Sequence, residues 1–453
     1  MRDTVNLFKQ GFPVVGLVHA PFEKLARLQA AQLGVPDAPI FAYPQDLPDK
    51  DSAEVVEARA REAVERAARF LLGNERVRQI ANAESAANDH RNVLCSIDGE
   101  CGLISSVYEA ADVEAFTTLV FEQGWTDGFP VLPPTEQRVR AMLDACERDP
   151  YEIVGLIPPG DGIATIEKIA INAVMAGCLP EHLPVIIAGI EAMLDPVFEL
   201  NRVQCTTGGP APLAIISGPV VKALGFNYGP GVFSGNGARA NAAIGRAIKL
   251  TLWNIGLGRP GQLSQATFGH PAGYGYLLAE RPPDDENPWE ELHVSSGFSS
   301  TDSAITMFPA GSHLQIATGI GAKAFDDNLQ VIADSICHLG HFYAATQKLV
   351  VLNPQAARTF HQAGWTKQMF RDALLTRCKR RARDLKHIGG VSTTLANHWT
   401  TLVDTSDDEA LVPAMLDEHH LQVMVAGGWA SPSSPCLIIF SMHGEMVTRK
   451  INV

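Results

Sequence analysis

The sequence predicts an α/β protein, with a small, incomplete doubly wound domain at the N-terminus and a larger mixed α/β domain after it. Three observations predict this class. Strand-length apolar runs alternate with segments of helical periodicity along both parts of the chain. Turn residues, among 39 glycines and 29 prolines, separate these runs. The length of 453 residues, 46% of them hydrophobic and 19% charged, suffices for two or three buried cores.

Phe12–Val18 reads as a buried strand, His19–Phe22 as the turn after it, and Glu23–Leu33 as a helix. Ile40–Tyr43 is a second short strand. Asp51 opens an amphipathic helix reaching about Leu72, with Val56, Ala60, Ala63, Ala67 and Phe70 on its 3.6-residue period. Over residues 1–75 this is half of a small doubly wound domain, which wants one more strand before Phe12. Residues 76–112 are polar and read as a linker or embellishment. Cys95 and Cys101 there are loop thiols, or a pair for a metal or a disulfide.

The large domain, residues 113–453, opens with helices at Val113–Gln123 and Thr135–Leu143, parted by the Asp127-Gly128 turn and the Pro133-Pro134 stop. Ala164–Cys178 and Glu181–Leu194 are helices apolar nearly all round, with Pro184 in a first turn where proline is tolerated. Leu213–Ile216 is a short strand. Ala238–Ile255 is a helix with Ile244, Ile248 and Ile255 inward. Tyr276–Glu280 is a strand, and Thr301–Phe308 another that ends in a turn at Pro309–His313. A helix at Asp326–Cys337, a strand at Leu349–Leu352, a helix at Trp365–Leu375 and strands at Leu421–Val425 and Leu437–Phe440 complete the chain.

The net charge of −14 argues against nucleic acid or an anionic membrane as partner. The basic run Arg377–Lys386 goes against that balance and reads as a solvated helix face or a local patch. No apolar run approaches membrane-span length and the start has no signal-peptide core, so a cytoplasmic protein is expected. The 8 cysteines include no CxxC pair, which excludes a zinc ribbon or thioredoxin motif.

Chemistry concentrates in glycine-bearing loops. Cys205, ahead of Thr206-Thr207-Gly208-Gly209, is the first candidate for a reactive thiol: free backbone N–H groups in such a turn lower a thiol pKa. The bland reading is a small buried residue. Thr206 and Thr207 can donate to a substrate carboxylate. The segment Ser234–Arg239 has the form of an anion loop leading into a helix, with Asn236, Arg239 and Asn241 as its polar members. It is no Walker loop, since no Gly-Lys-Ser/Thr follows. His270 and His313 each follow a glycine-containing turn and are candidate acid–base groups. Cys178, at the end of an apolar helix, is a second thiol candidate or a structural one. Trp125, Asp127 and Glu280 are candidate substrate-side residues, and Glu167-Lys168 a buried pair or an exposed helix start. Cys337-His338-Leu339-Gly340-His341 offers three donors spread over a helix end, and no metal is assigned to them.

Several segments together resemble the UGSC family of selenocysteine- or cysteine-containing proteins. They are Glu122–Thr135 with its Trp-Thr-Asp-Gly, Glu167–Cys178 with its Asn-Ala-Val-Met-Ala-Gly-Cys, Gly237–Arg246, Ala266–Pro271, Val447–Ile451 and, loosely, Val423–Gly428. This resemblance runs over most of residues 115–453, and residues 8–72 resemble the second half of the family's small domain. The family's short redox-like motif, selenocysteine or cysteine followed by Gly-Ser-Cys, would precede Phe12 and is not in this sequence. The resemblance therefore implies a large form lacking the motif, or a small partner subunit that supplies it in an oligomer.

The expectation is an enzyme, or enzyme subunit, performing thiol-dependent lyase or redox chemistry on a small, anionic organic substrate, with no cofactor named by any motif. A binding or scaffold subunit is the alternative from another class. A metal-dependent lyase or hydrolase using His270 and His313 is the third.

Overall fold

The computed structural model describes residues 14–19, 23–32, 34–43, 61, 103, 105–233, 235–285, 287–318, 325–341, 346–386, 403, 404, 406–429 and 434–452. Two compact units divide the chain: Met1–Ile104 with Arg259–Leu263, and Ser105–Gly258 with Ser264–Val453.

In the first unit, β1 (Gly16–His19) and β2 (Ile40–Tyr43) pair in parallel, with α1 (Glu23–Gln32) between them in sequence. Ala30, Val35 and Ala38 are buried together, with Val14 and Ile40 packed against them. Strand, helix and strand follow the expected order. The helix expected at 51–72 and the thiols Cys95 and Cys101 lie outside the described residues.

The second unit is mixed α/β. It opens with α2 (Val113–Glu122), α3 (Glu136–Leu143) and a hairpin of β3 (Ile153–Ile157) with β4 (Gly162–Thr165), followed by α4 (Ile166–Ala176), α5 (Leu183–Met193) and α6 (Leu200–Cys205). Then come β5 (Ala211–Ser217), α7 (Arg239–Asn254), β6 (Leu277–Ala279), β7 (Ala304–Thr318), α8 (Phe325–Ile336), β8 (Lys348–Leu352), α9 (Pro354–Gln362) and α10 (Lys367–Arg377). The strands β9 (Lys379–Arg381), β10 (Leu411–Pro413), β11 (Leu421–Val425), β12 (Ser434–Ser441) and β13 (Val447–Lys450) close it. A seven-stranded mixed sheet runs in the order β11-β8-β12-β7-β5-β6, with β13 also on β7.

Both faces of this sheet are covered, and the period of two shows it. Val350, Leu352, Ile438 and Phe440 join the core built with α8, α9 and α10, whereas Leu349, Val351 and Ile439 join the other, with Leu213, Phe308 and Tyr276. β5 is buried at every position, which is why it reads as a continuous apolar run. The helices α4 and α5 are buried nearly all round. Gly189 of α5 sits where a Cβ would lie 3.0 Å from Ile305 of β7 and 3.3 Å from Ile248 of α7, so its missing side chain sets the closeness of these elements. Each fully buried side chain here, such as Ile186 or Ile190, adds roughly 1.5–3 kcal/mol relative to exposure.

Two expectations need correction. The strand at Thr301–Phe308 does not end in a turn at Pro309; β7 continues through it to Thr318. Pro309 lies opposite Pro212 of β5, so two residues that cannot donate face each other, and His313 lies on the strand opposite Ile439. The basic run at 377–386 is no single helix face either. It spans the end of α10, β9 and a helical turn at Ala382–Leu385, and it is paired: Arg377 with Asp326, Arg381 and Arg383 with Glu409, Lys386 with Asp408. Among the described residues no helix is long and apolar enough to cross a membrane.

Candidate functional site

The glycine-bearing loops converge on one face of the sheet. Thr206 ends α6, and its hydroxyl accepts from Gly208 N–H at 3.3 Å. The carbonyl of Thr207 accepts from Thr267 N–H at 2.8 Å, which ties this loop to the one carrying His270. A Cβ on Gly209 would lie 2.9 Å from Ala266 and 3.0 Å from Gly269, so the two loops approach as closely as glycine permits. Cβ atoms on Gly208 and on Gly311 of β7 would both collide with Met442, which places the loop beside the segment of β7 that leads to His313.

His270, His313, Tyr276 and Phe233 form an aromatic cluster there. Phe233 meets His313 edge-on at 4.6 Å and Tyr276 at 5.5 Å; His270 lies 5.2 Å from Tyr276 and 5.8 Å from His313. His270 caps the helical turn Pro271–Tyr274: its Nδ1 accepts from Ala272 N–H at 3.0 Å. In the neutral ring that acceptor role puts the proton on Nε2. Burial, with the neighbouring His313 adding to it, pushes the pKa of His270 down to about 4, and burial also lowers that of His313. Both rings are therefore neutral at ordinary pH. The buried atoms His313 Nδ1 and Tyr276 Oη have no hydrogen-bond partner among the described residues. Burial raises the phenol pKa above its usual range, so Tyr276 keeps its proton.

Cys205 has a different setting from the one its loop suggested. It closes α6, at the carbonyl end of a helix, and its Sγ faces Asn201 Oδ1 at 3.6 Å. Burial pushes its pKa up to about 11, and the negative charge of Asp161 adds to the rise. The helix end also disfavours an anion, so the expected thiolate-stabilising environment is not present. Cys178 is buried just past α4, and burial raises it to about 12 against a smaller opposing effect of Arg239.

The anion-type loop divides its members. Arg239 donates from Nε to Gly177 O at 2.9 Å and so reaches the end of α4. Asn241 is buried and braces the loop: its Oδ1 accepts from Asn227 N–H at 2.8 Å and its Nδ2 donates to Asn227 O at 3.0 Å. Asn236 is exposed, and Ser234 lies outside the described residues.

Other candidates are structural in their surroundings. Asp127 accepts from Arg246 twice, at 2.8 and 2.9 Å, and Arg246 also donates to Phe129 O and Pro130 O, which fixes the 126–130 turn on α7. Trp125 packs edge-on against Tyr108 at 4.9 Å, and its carbonyl accepts from Asn254. Glu167 accepts from Ser105 N–H and Lys168 donates to Ile163 O, so each of the two has a backbone partner. Cys337 and Cys378 are hydrogen-bonded to each other in the core, and among the described residues they form no group of three donors with His338 and His341.

Glu280 lies at the centre of a buried polar network. Its Oε2 accepts from Ser217 Oγ at 2.8 Å and Leu292 N–H at 2.7 Å, while Glu291 accepts from Gly218 N–H at 2.7 Å. Lys367 supplies the nearby positive charge and donates to Glu290 O and Ser295 Oγ. Burial raises the pKa of Glu280 against that charge. Sequence reading missed Glu291 and Lys367, which come from distant segments. It also passed over Phe233 and Tyr276 as site residues; the Gly-Tyr-Gly-Tyr run at 273–276 was the available signal.

Comparison with known proteins supports one part of the chain. The model of the UGSC family matches residues 1–73. The match does not extend to the rest of the chain, including the segments at 115–453 that resemble the family. No curated protein matches the chain.

Proposed function

We propose that the second unit is an enzyme acting on a small, anionic organic molecule, held where the loops at 206–209 and 266–276 meet Phe233 and β7 at His313. One observation carries this reading. Two buried polar atoms, His313 Nδ1 and Tyr276 Oη, lack a partner among the described residues, in the same aromatic cluster that His270 joins. An unpaired buried donor or acceptor costs about 1–3 kcal/mol, which a bound ligand recovers.

The chemistry follows from protonation. His270 Nε2–H is a neutral donor suited to a carbonyl or carboxylate oxygen on which charge develops. His313, neutral and with no partner for Nδ1 among the described residues, is the general base. Cys205 is protonated near neutrality, so it becomes a nucleophile only if a base takes its proton; proton transfer at the histidines is the primary step and thiol addition the dependent one. Thr206 and Thr207 border the ligand. The metal-dependent alternative has less support, because neither His270 nor His313 belongs to a group of three donors among the described residues.

The test is a thermal-shift screen of small carboxylic and keto acids. A ligand that raises the midpoint of the wild type is expected to lose most of that effect in His313→Ala. Equal stabilisation of the variant contradicts the placement. With a turned-over ligand in hand, Cys205→Ala at near wild-type turnover removes the thiol from the mechanism.

The family match over residues 1–73 favours a second reading, in which a partner carrying Cys-Gly-Ser-Cys or its selenocysteine form performs a redox step. Full activity of the isolated chain rules it out.

A further inference from the structure

A second histidine cluster lies in the same unit, outside the proposed site. Asp417 caps the helical turn Glu418–His420, which leads directly into β11. His419 and His420 are adjacent on that turn, their rings edge-on at 4.4 Å. Glu445 comes from the loop before β13. The ligand atoms of His419, His420 and Glu445 lie within 4.8 Å of one another.

The distances decide what this cluster is for. Asp417 Oδ1 is 2.8 Å from His419 Nδ1, so that nitrogen holds the proton and the Nε2 lone pair is turned to Glu445. From His419 Nε2 to Glu445 Oε2 is 3.6 Å, and from His420 Nε2 to Glu445 Oε1 is 3.9 Å. Both are too long for hydrogen bonds. They are close to the separation of about 3.4 Å that two ligands of one tetrahedral ion adopt when each bond is about 2.0–2.1 Å. The carboxylate on the far nitrogen of His419 is the outer partner that metal-bound histidines commonly have.

The backbone fixes both halves in advance. Arg371 donates to Glu418 O and Leu421 O, at 3.1 Å each, and Gln422 donates to His419 O at 2.8 Å. On the other side Gly444 N–H donates to Glu199, Glu445 N–H to Val197 O at 2.9 Å, and Met446 N–H to Gln347 at 2.7 Å. The side chain of His420 is 8% exposed, while His419 and Glu445 are 50% and 41% exposed, so an ion here is open to solvent on one side.

We propose that His419, His420 and Glu445 bind one Zn2+, oriented by Asp417 and with a fourth position open to water. Two neutral imidazoles and one carboxylate are the donor set of a borderline divalent ion with an open position, in contrast to the oxygen-only sets of calcium and magnesium. The ion fastens the turn before β11 to the loop before β13.

The experiment titrates the full chain, freed of metal by a chelator, with Zn2+ alone against a chromophoric competitor, and repeats this with variants. One equivalent binds the wild type. His419→Ala and Glu445→Gln each weaken that binding by more than about 100-fold, and Asp417→Asn by about 10–100-fold. Unfolding midpoints measured without metal show that these variants are folded, as the exposure of His419 and Glu445 leads one to expect. Zinc titration raises the midpoint of the wild type and not that of His419→Ala. No stoichiometric binding to the wild type, or binding equally tight in His419→Ala and Glu445→Gln, overturns the proposal.

Discussion

The two histidine clusters of the second unit use the same side chain in opposite ways. Around His270 and His313 the neighbours are Phe233, Tyr276 and each other, and burial lowers both pKa values. Around His419 and His420 stand Asp417 and Glu445, and the hydrogen bond from His419 holds the Asp417 carboxyl below its usual range. The first cluster keeps its imidazoles neutral and offers a hydrogen bond to a carbonyl or carboxylate oxygen. The second gathers negative charge about imidazole lone pairs and suits a cation. The residue type is shared; burial and the position of carboxylates decide the chemistry.

The largest effect is expected at Gly444. Its φ is +47°, and a Cβ there would lie 2.1 Å from Phe198 O. Gly444→Ala is expected to lose roughly 3 kcal/mol of stability in urea unfolding, from strain and overlap together. The same change displaces Glu445, so zinc affinity falls while ligand binding at His313 stays at the wild-type level. A variant as stable as the wild type means that this loop is not held as described.

A smaller effect of opposite sign sharpens the other half. Tyr276→Phe deletes a buried hydroxyl that has no partner among the described residues. The ligand-free protein is expected to gain about 1 kcal/mol, measured by the same unfolding, while losing affinity for the ligand of the His270 cluster. Destabilisation by this change shows that the hydroxyl already has a partner and removes half of the argument for the site.

Much of the fold was legible because its signals are local. The apolar run of β5, the all-round apolar α4 and α5, and the strand-helix-strand order of residues 16–43 follow from periodicity. Asn353 capping α9 with Pro354 in its first position was an equally local start signal, but apolar periodicity alone passes over it. β7 misled because Pro309 reads as a stop; only its pairing with Pro212 makes a proline acceptable mid-strand. The site was half legible. Glycines marked the loops at 206–209 and 266–275, and the structure does bring these together beside His313. Asp127 looked like a substrate carboxylate because its partner, Arg246, comes from a distant helix. Cys205 looked activated because the glycines follow it, whereas burial, with the charge of Asp161 adding to it, raises its pKa. His419 and Glu445 offered no spacing at all; the turn before β11 and the loop before β13 meet only in the fold.

Ring resonances of selectively labelled histidine, followed over pH and then with Zn2+, test the separation of the two clusters most directly. His270 has a folded pKa of about 4, below the ordinary value of 6.5. Its contribution to stability is therefore complete above pH 6.5 and is lost as the pH falls from there through 4, because the unfolded chain takes up the proton first. The resonances of His270 and His313, assigned with His270→Gln and His313→Gln, are expected to ignore zinc, with His270 neutral down to about pH 4 and His313 titrating below the ordinary 6.5. Those of His419 and His420 are predicted to shift with one equivalent of zinc. Ordinary titration of His270 near 6.5, or zinc shifting all four alike, would contradict the account.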